Sequence, residues 1–585
     1  MRRVLLTTVV LAALCAQGAH AAGPAMPVGH AGRWLTDATG RVTVMHGINM
    51  VYKRPPYAPD AVGFGDDDAA FLASEGLDTV RVGVIYKAVE PQPGVYDDAY
   101  IDRIKNTVDT LGRHGIVSLV DFHQDLYNER FQGEGWPDWA VQDDGLPNQP
   151  QSGFPANYLT MPALQHAFDH FWANDPGPGG VGLQDRYAAA WAHVAQRFNG
   201  DNAVLGFDLL NEPWPGSTWQ QCANPAGCPV FDATMTAFIK RTVAAIRTTD
   251  QSTLVFYEPN VLFNDGADTT LGPIGDPRAV MSFHDYCLAA DQGGSGYGGC
   301  GTADDLVFKN ANAHAAKTGD GLLVTEFGAT DTADVLNNVM LRADGAMVGW
   351  QEWQYCGCQD PTTSGPGDKQ AIVLDPSKPP TGANVKTKTL DVIVRPYPQQ
   401  VAGTPESWSF DPATKAFAAK WSTKRADGTG SFGAGTKTEL FIPTIQYPNG
   451  YVVAVQGGTV VSAPRAQTLV VASCPGTSEV SVAVTATGTP TQSCAAPAAK
   501  GKRVRLSVSV SPKVVRTLRT VRLRVTVRAK GRPVRGAKVR VGPKRAVTDR
   551  KGHATLHGRF SRAGKHAVTA TARGYRAGRA TLRAV

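Results

Sequence analysis

Eight apolar runs punctuate the first 355 residues: VTVMHGINM (42–50), LDTVRVGVIY (77–86), IVSLVDFH (116–123), VLGFDLLNEP (204–213), STLVFYEP (252–259), AVMSFHDY (279–286), LLVTEFG (322–328) and MVGWQEWQY (347–355). They are rich in Val, Ile and Leu and do not alternate with polar residues, as strands covered on both faces of a parallel sheet do not. Between most of them lie segments with helical spacing, among them AYIDRIKNTVDTLGRHG, RYAAAWAHVAQRFNG and MTAFIKRTVAAIRTTD. Strands alternating with helices eight times over predict an α/β chain built on a (β/α)8 TIM barrel.

In such a barrel the carboxyl ends of the strands open into one shared site, so polar residues there point to function. Glu212 ends the fourth run and Glu326 the seventh; Asp121 and His123 end the third, His284 and Tyr286 the sixth, and Trp353 the eighth, while Arg81 lies in the second. Two carboxylates across one pocket suit glycoside hydrolysis, in which one protonates the departing oxygen and the other attacks the anomeric carbon or activates water. Asn211 places an amide beside the acid, where it can bond a sugar 2-hydroxyl in the transition state. Tyr286 is positioned to orient the nucleophile, and Trp353 offers a sugar an aromatic face. This chemistry calls for no cofactor and no metal.

The ends of the chain carry other signals. MRRVLLTTVVLAALCAQGAHAAG has paired arginines, an apolar stretch too short to span a bilayer and an Ala-x-Ala site, the grammar of a secretory signal peptide over residues 1–21. Secretion is therefore expected, with no transmembrane segment. Beyond Cys15, eight cysteines remain, and an oxidising compartment makes disulfides the default. Cys222 with Cys228 and Cys474 with Cys494 are near enough to pair locally. Cys287, Cys300, Cys356 and Cys358 allow three pairings, and the spacing of CGC at 356–358 is wrong for zinc.

Net charge is +7, but it is partitioned: residues 501–585 hold 25 Lys and Arg against one acid, Asp549, leaving −17 on the first 500. The break falls in the Ala/Pro stretch CAAPAAKGKR, so a domain boundary is expected near 498. Domains are expected at 30–385 for the barrel, 386–497 for a β-sandwich and 498–585 for a small all-β domain. The middle one is read from TELFIPTIQY, GYVVAVQGG, TLVVAS and VSVAVTATG, short β-type runs separated by turn residues. In the last, LSVSVSPKVV and TVRLRVTVRAKG alternate strictly, so the arginines of the second line one face. That cationic surface suits an anionic envelope polymer or lipid surface; few aromatics accompany it, which argues against a nucleic-acid platform.

Asn-Glu-Pro at strand four, a glutamate at strand seven and a tryptophan after strand eight resemble glycoside hydrolase family five in clan A. Within it, NMVYKRPPY (49–57), VRVGVIYKAVEPQPGVYD (80–97), VDFHQDLY (120–127), GFDLLNEPWPG (206–216) and RPYPQQVAGTPESWSFDP (395–412) resemble the endoglycoceramidase group over roughly residues 35–480. The resemblance implies a retaining enzyme that cleaves glycan from ceramide, with Glu212 as acid/base and Glu326 as nucleophile. It implies that Asn211, His284, Tyr286, Arg81 and Trp353 line the site and that Lys53, Asp121 and His123 contact the sugar at the cleavage point. Tyr86 stands where relatives often carry Trp. The last domain resembles small immunoglobulin-like modules appended to secreted bacterial enzymes. The insertion 128–175, rich in aromatics and prolines, is expected to border the cleft. The alternatives are a β-glucosidase or galactosidase acting on another glycolipid such as a steryl glucoside, an endoglucanase, and a glycan-binding adhesin on an inactive barrel. A retaining pair would hold its carboxyl groups about 5–5.5 Å apart.

Overall fold

The computed structural model describes residues 23–287, 297–363, 367–494, 504–573 and 575–585; the signal-peptide expectation and the linker near 498 lie outside them. The chain divides into two compact units, Met1–Ala496 and Pro497–Val585.

Eight strands close the barrel of the first unit: β1 (His46–Met50), β2 (Thr79–Ile85), β3 (Val117–His123), β4 (Val204–Asp208), β5 (Leu254–Tyr257), β6 (Ala279–Asp285), β7 (Gly321–Phe327) and β8 (Trp350–Glu352), with β8 returning to β1. All neighbours are parallel and every strand residue is buried, which is why the runs do not alternate. Helices cover the outside with one apolar face each. In Asp98–Arg113 the buried positions Tyr100, Ile101, Ile104, Val108 and Leu111 follow helical spacing, and Asp97 caps the start by accepting the Tyr100 N–H at 3.0 Å.

The helix Leu183–Phe198 ties packing to the site. Its Tyr187 hydroxyl and Trp191 indole N–H both donate to the Leu209 carbonyl at 2.9 Å, and the Trp191 ring stacks on Phe122 at 3.9 Å. They anchor the segment that runs from β4 to Glu212. On the order of 3–5 kcal/mol accompanies the burial of such a ring, so the site rests on a firm floor.

Insertion 128–175 is folded, with helices at Ala156–Thr160 and Pro162–Ala173. Trp136 is buried against Tyr127 at 4.2 Å and meets Phe168 and Phe171 edge-on. The segment is thus part of the core as well as the rim.

Nine strands from Tyr397–Val401 to Thr491–Ser493 form one continuous path of pairing, part of a sheet of twelve. Tyr397–Val401 and Thr404–Asp411 are joined by two residues yet lie far apart on that path, so the sheet must curl back on itself. Three strands from Gly29 to Thr43 extend it. The first apolar run therefore serves two sheets: Val42 and Thr43 pair with Val401 and Gln400, and His46 opens the barrel. Trp408 donates to Asp344 at 2.7 Å and Arg395 to Asn337 at 2.7 Å, both on the barrel helix Ala333–Ala346. No cleft residue named below comes from this sheet, so its contacts brace the barrel.

The second unit has its own core, with Leu523, Val525, Val527, Leu556, Val568 and Leu582 buried. On the strand Thr520–Ala529 these alternate with Arg522, Arg524 and Arg528, all exposed. Among the described residues of this unit no ion pair forms.

Disulfides join Cys222–Cys228, Cys287–Cys300, Cys356–Cys358 and Cys474–Cys494, which selects one of the three pairings the sequence allowed. No helix among the described residues is long and apolar enough to cross a membrane.

Candidate active site

Arg81 is the hub. It is wholly buried on β2, and its guanidinium bonds Asp208 at 3.0 Å, Glu258 at 2.9 Å, Asp121 at 3.0 Å, the Asn211 amide oxygen at 2.9 Å and Glu326. Register explains the convergence: Arg81 sits opposite Asn49 on β1, and Asp121 on β3 sits opposite Asp208 on β4, so inward positions of neighbouring strands share one layer. Burial alone would discharge Arg81; the surrounding carboxylates hold its pKa well above the usual value.

Glu326 receives one hydrogen bond from Arg81 and another, at 2.8 Å, from the Tyr286 hydroxyl. Glu212 shares its Oε1 between the Asn264 amide at 2.7 Å and His284 Nδ1 at 2.9 Å. One oxygen from each of Glu212 and Glu326 lies within 4.8 Å of the other and of the His284 ring. The two carboxyls therefore approach closely, as a retaining pair requires; an inverting pair must open to roughly 6.5–9.5 Å to admit water.

Glu212 occupies a left-handed backbone conformation, φ 43°, costly for a residue other than glycine by on the order of 1 kcal/mol or more. Two contacts hold it there: its N–H donates to Glu258 at 2.9 Å, and its carbonyl accepts from Gln124 at 3.1 Å. The turn aims the carboxyl into the cleft.

Burial raises the Glu212 pKa first; the bond and charge of His284 partly offset it, and the charge of Glu326 adds to it. Burial works against a charged His284, but Glu258 and Glu326 hold its pKa well above the ordinary range, so it stands as imidazolium. Burial, reinforced by Asp208 and opposed by His284, pushes Glu258 up to about 7. Because the imidazolium lowers the Glu212 pKa, His284→Asn should raise it and carry the alkaline limb of kcat/KM to higher pH. A limb that stays in place or moves down would show that Glu212 does not set it.

A second cluster adjoins the first. Lys53 donates to Asp125 at 2.6 Å and to Thr362 at 2.9 Å, pairs with Asp360 at 3.3 Å and lies 4.5 Å from the Trp353 ring centroid. His123 stacks on Trp353 at 5.3 Å and bonds Asp121 at 2.7 Å. Burial opposes charge on both partners, yet Lys53 draws Asp125 down to about 2 and Asp121 lifts His123 to about 9. Glu134, fully buried with neither oxygen hydrogen-bonded, is pushed well above the carboxylate range by burial. Ligand-type atoms converge in Glu212–His284–Glu326 and in His123–Asp125–Glu134, but Arg81, Tyr286, Asn264 and Lys53 already engage most of those carboxylates.

Both clusters back a cleft of about 230 Å³. Its lining includes the linked group Lys53, Asp125, Thr362 and Trp353, the candidate residues Glu212 and Tyr286, and the apolar Phe154, Pro155, Leu159, Val261 and Leu262. Of the residues read from the sequence, Lys53, Glu212, Tyr286 and Trp353 line this space. Arg81, Asp121, Asn211, His123, His284 and Glu326 are not among its lining residues and form the buried networks around it. Asp121 faces Arg81 and His123, so any effect on a sugar passes through His123. Tyr86 turns away among Phe122, Trp139 and Tyr187 and donates to Glu90 at 2.8 Å.

The sequence reading missed Glu258, although it ends the fifth run as Glu212 and Glu326 end theirs; the same signal finds it. Asp208 lay hidden inside a run, and Asn264, Thr362 and Asp360 sit in loops that carry no periodic signal.

Residues 36–356 match the cellulase family, glycosyl hydrolase family 5, and residues 395–484 match the glycoside hydrolase family 5 C-terminal domain. Endoglycoceramidase I of Rhodococcus hoagii is 34% identical over 463 residues, 77% of this chain and 86% of that protein. The chain belongs to glycosyl hydrolase family 5. It is a glycosidase, and the adhesin alternative falls away. Solved structures of endo-glycoceramidase II from Rhodococcus sp., one a lactosyl-enzyme intermediate and one a ganglioside GM3 complex, match with TM-score 0.63 and 30% identity. Each covers 78% of this chain, and 100% and 99% of the respective solved chains. Family membership gives the paired glutamates a shared context without assigning their roles here.

Proposed function

We propose that this family 5 enzyme is a secreted, retaining endoglycosidase that cleaves the β-glycosidic bond between a glycan and ceramide. The observation that carries the reading is the cleft's mixed lining: the linked group Lys53, Asp125, Thr362 and Trp353 shares it with the apolar Phe154, Leu159, Val261 and Leu262 and with Glu212. A polyhydroxylated glycan suits the first and a hydrocarbon aglycone the second. A soluble glucan would leave the apolar residues in contact with water. The endoglycoceramidase relatives and the ganglioside GM3 complex of one of them support the same substrate.

In the first step Glu326 attacks the anomeric carbon while Glu212 gives its proton to the ceramide oxygen, so the C–O bond breaks and neutral ceramide departs. Burial keeps that proton on Glu212 to higher pH than an exposed glutamate would allow. Arg81 and Tyr286 fix the orientation of Glu326. In the second step Glu212 takes a proton from water, the hydroxyl adds to the anomeric carbon and Glu326 leaves, so configuration is retained.

The domain limits 30–385, 386–497 and 498–585 belong to this proposal. So does a tethering role for the last: its cationic surface holds the enzyme on an anionic envelope polymer or lipid surface near a membrane-borne substrate.

The test is a panel of lactosylceramide, steryl glucoside, aryl lactoside and cellooligomers in detergent, with products resolved. Lactosylceramide should give intact lactose and ceramide with kcat/KM at least about tenfold above steryl glucoside. Faster turnover of steryl glucoside or cellooligomers would overturn the ceramide assignment.

A further inference from the structure

The cleft holds one acid that has neither a step in the proposed mechanism nor a hydrogen-bond donor among the described residues. The turn Val261–Asp265 follows β5; Asn260 caps it, accepting the Leu262 N–H at 3.2 Å, and Gly266 ends it with φ 91°. Val261 and Leu262 supply apolar wall, and Asn264 is buried with its amide on Glu212. Asp265, the next residue, lines the cleft and is exposed within it. It shares the cleft with Glu212, the acid that meets the departing oxygen. No described side chain or backbone group donates to it, whereas every other cleft acid is hydrogen-bonded: Glu212 to Asn264 and His284, and Asp125 to Lys53 and Thr362. The crowding of the walls, and after it the charge of Glu212, push Asp265 up to about 6.

We infer that Asp265 is a specificity-determining residue that accepts hydrogen bonds from donors on the polar head of the aglycone, a secondary amide N–H or a hydroxyl close to the scissile oxygen. The inference rests on the ceramide reading and adds to it a named contact for the leaving group. A carboxylate only accepts hydrogen bonds, and this one shares its cleft with Phe154, Pro155, Leu159, Val261 and Leu262. An aglycone that covers it without offering a donor strips away its water and returns nothing, a loss of about fivefold or more in kcat/KM. A ceramide carries an amide N–H and a hydroxyl within a few bonds of the glycosidic oxygen and satisfies it. Asp265 therefore discriminates twice, favouring aglycones with donors and rejecting plain hydrocarbon ones.

The experiment compares kcat/KM for lactosylceramide with that for dodecyl β-lactoside, which has the same glycan and a hydrocarbon aglycone without donors. Wild type, Asp265→Leu and Asp265→Asn are assayed in the full chain and in one detergent. The lactosylceramide-to-dodecyl ratio should fall about tenfold to a hundredfold in Asp265→Leu, a range set by one lost hydrogen bond to a charged group. Asp265→Asn keeps an acceptor oxygen and should lie between. A ratio unchanged in both variants, with each melting as wild type does, would overturn the contact while leaving the ceramide reading intact. Wild type that does not hydrolyse lactosylceramide would overturn the ceramide reading and the contact with it. If Asp265→Leu does not fold, the Asp265→Asn ratio decides alone: a fall of threefold or more supports the contact, and no fall overturns it.

Discussion

Glu326→Gln should lower kcat on lactosylceramide by about 10⁴-fold or more, because the substitution removes the nucleophile's charge and leaves its shape. The protein should still fold. Arg81 would lose one of four carboxylate partners but keep Asp208, Glu258 and Asp121, so no buried cation is left unpaired. The measurement is turnover by freshly purified variant, with thermal melting alongside and the anomeric form of the first wild-type sugar product read by NMR. Retained configuration and a collapse in kcat without a collapse in melting temperature are expected. A well-folded variant that keeps more than a few per cent of activity, or an inverted first product, would remove Glu326 from the nucleophile's role.

Reversing the charge of the exposed row Arg522, Arg524 and Arg528 should weaken binding to anionic vesicles by a factor of a hundred or more. Each cation near an anionic surface contributes about 1 kcal/mol, so three removed cations already correspond to roughly a hundredfold, and the introduced acids add repulsion. These residues alternate with the buried Leu523, Val525 and Val527, so all three can change without touching the core. Co-sedimentation with phosphatidylserine vesicles and with isolated cell wall, at low and high salt, separates the two surfaces. Wild-type retention should fall steeply as salt rises, since exposed charges are screened within about 8–10 Å. Retention indifferent both to salt and to the reversal would reject the tether and leave the charge as a solubility feature. Truncation after Lys500 should abolish retention and spare turnover of a soluble aryl lactoside.

Much of this enzyme was legible in its sequence. Strand residues covered on both faces cannot alternate, so the barrel shows directly as eight continuous runs, and carboxyl strand ends converge, so Glu212 and Glu326 are marked by position alone. Cys222–Cys228 and Cys474–Cys494 were readable because six and twenty residues leave little room for another partner. Barrel closure decided the rest. Arg81 reaches Asp208, Glu258 and Glu326 across 127, 177 and 245 residues, and Lys53 reaches Thr362 across 309. No periodicity records such distances, because they are set by which strand closes beside which. The same closure split the first run between two sheets, turned Asp121 behind His123 and brought the loop after β5 up to Glu212, where Asn264 and Asp265 line the cleft. A pattern of apolar residues specifies which face a side chain takes; only the closed fold fixes which charges meet there, because in a buried site each charge persists through its neighbours.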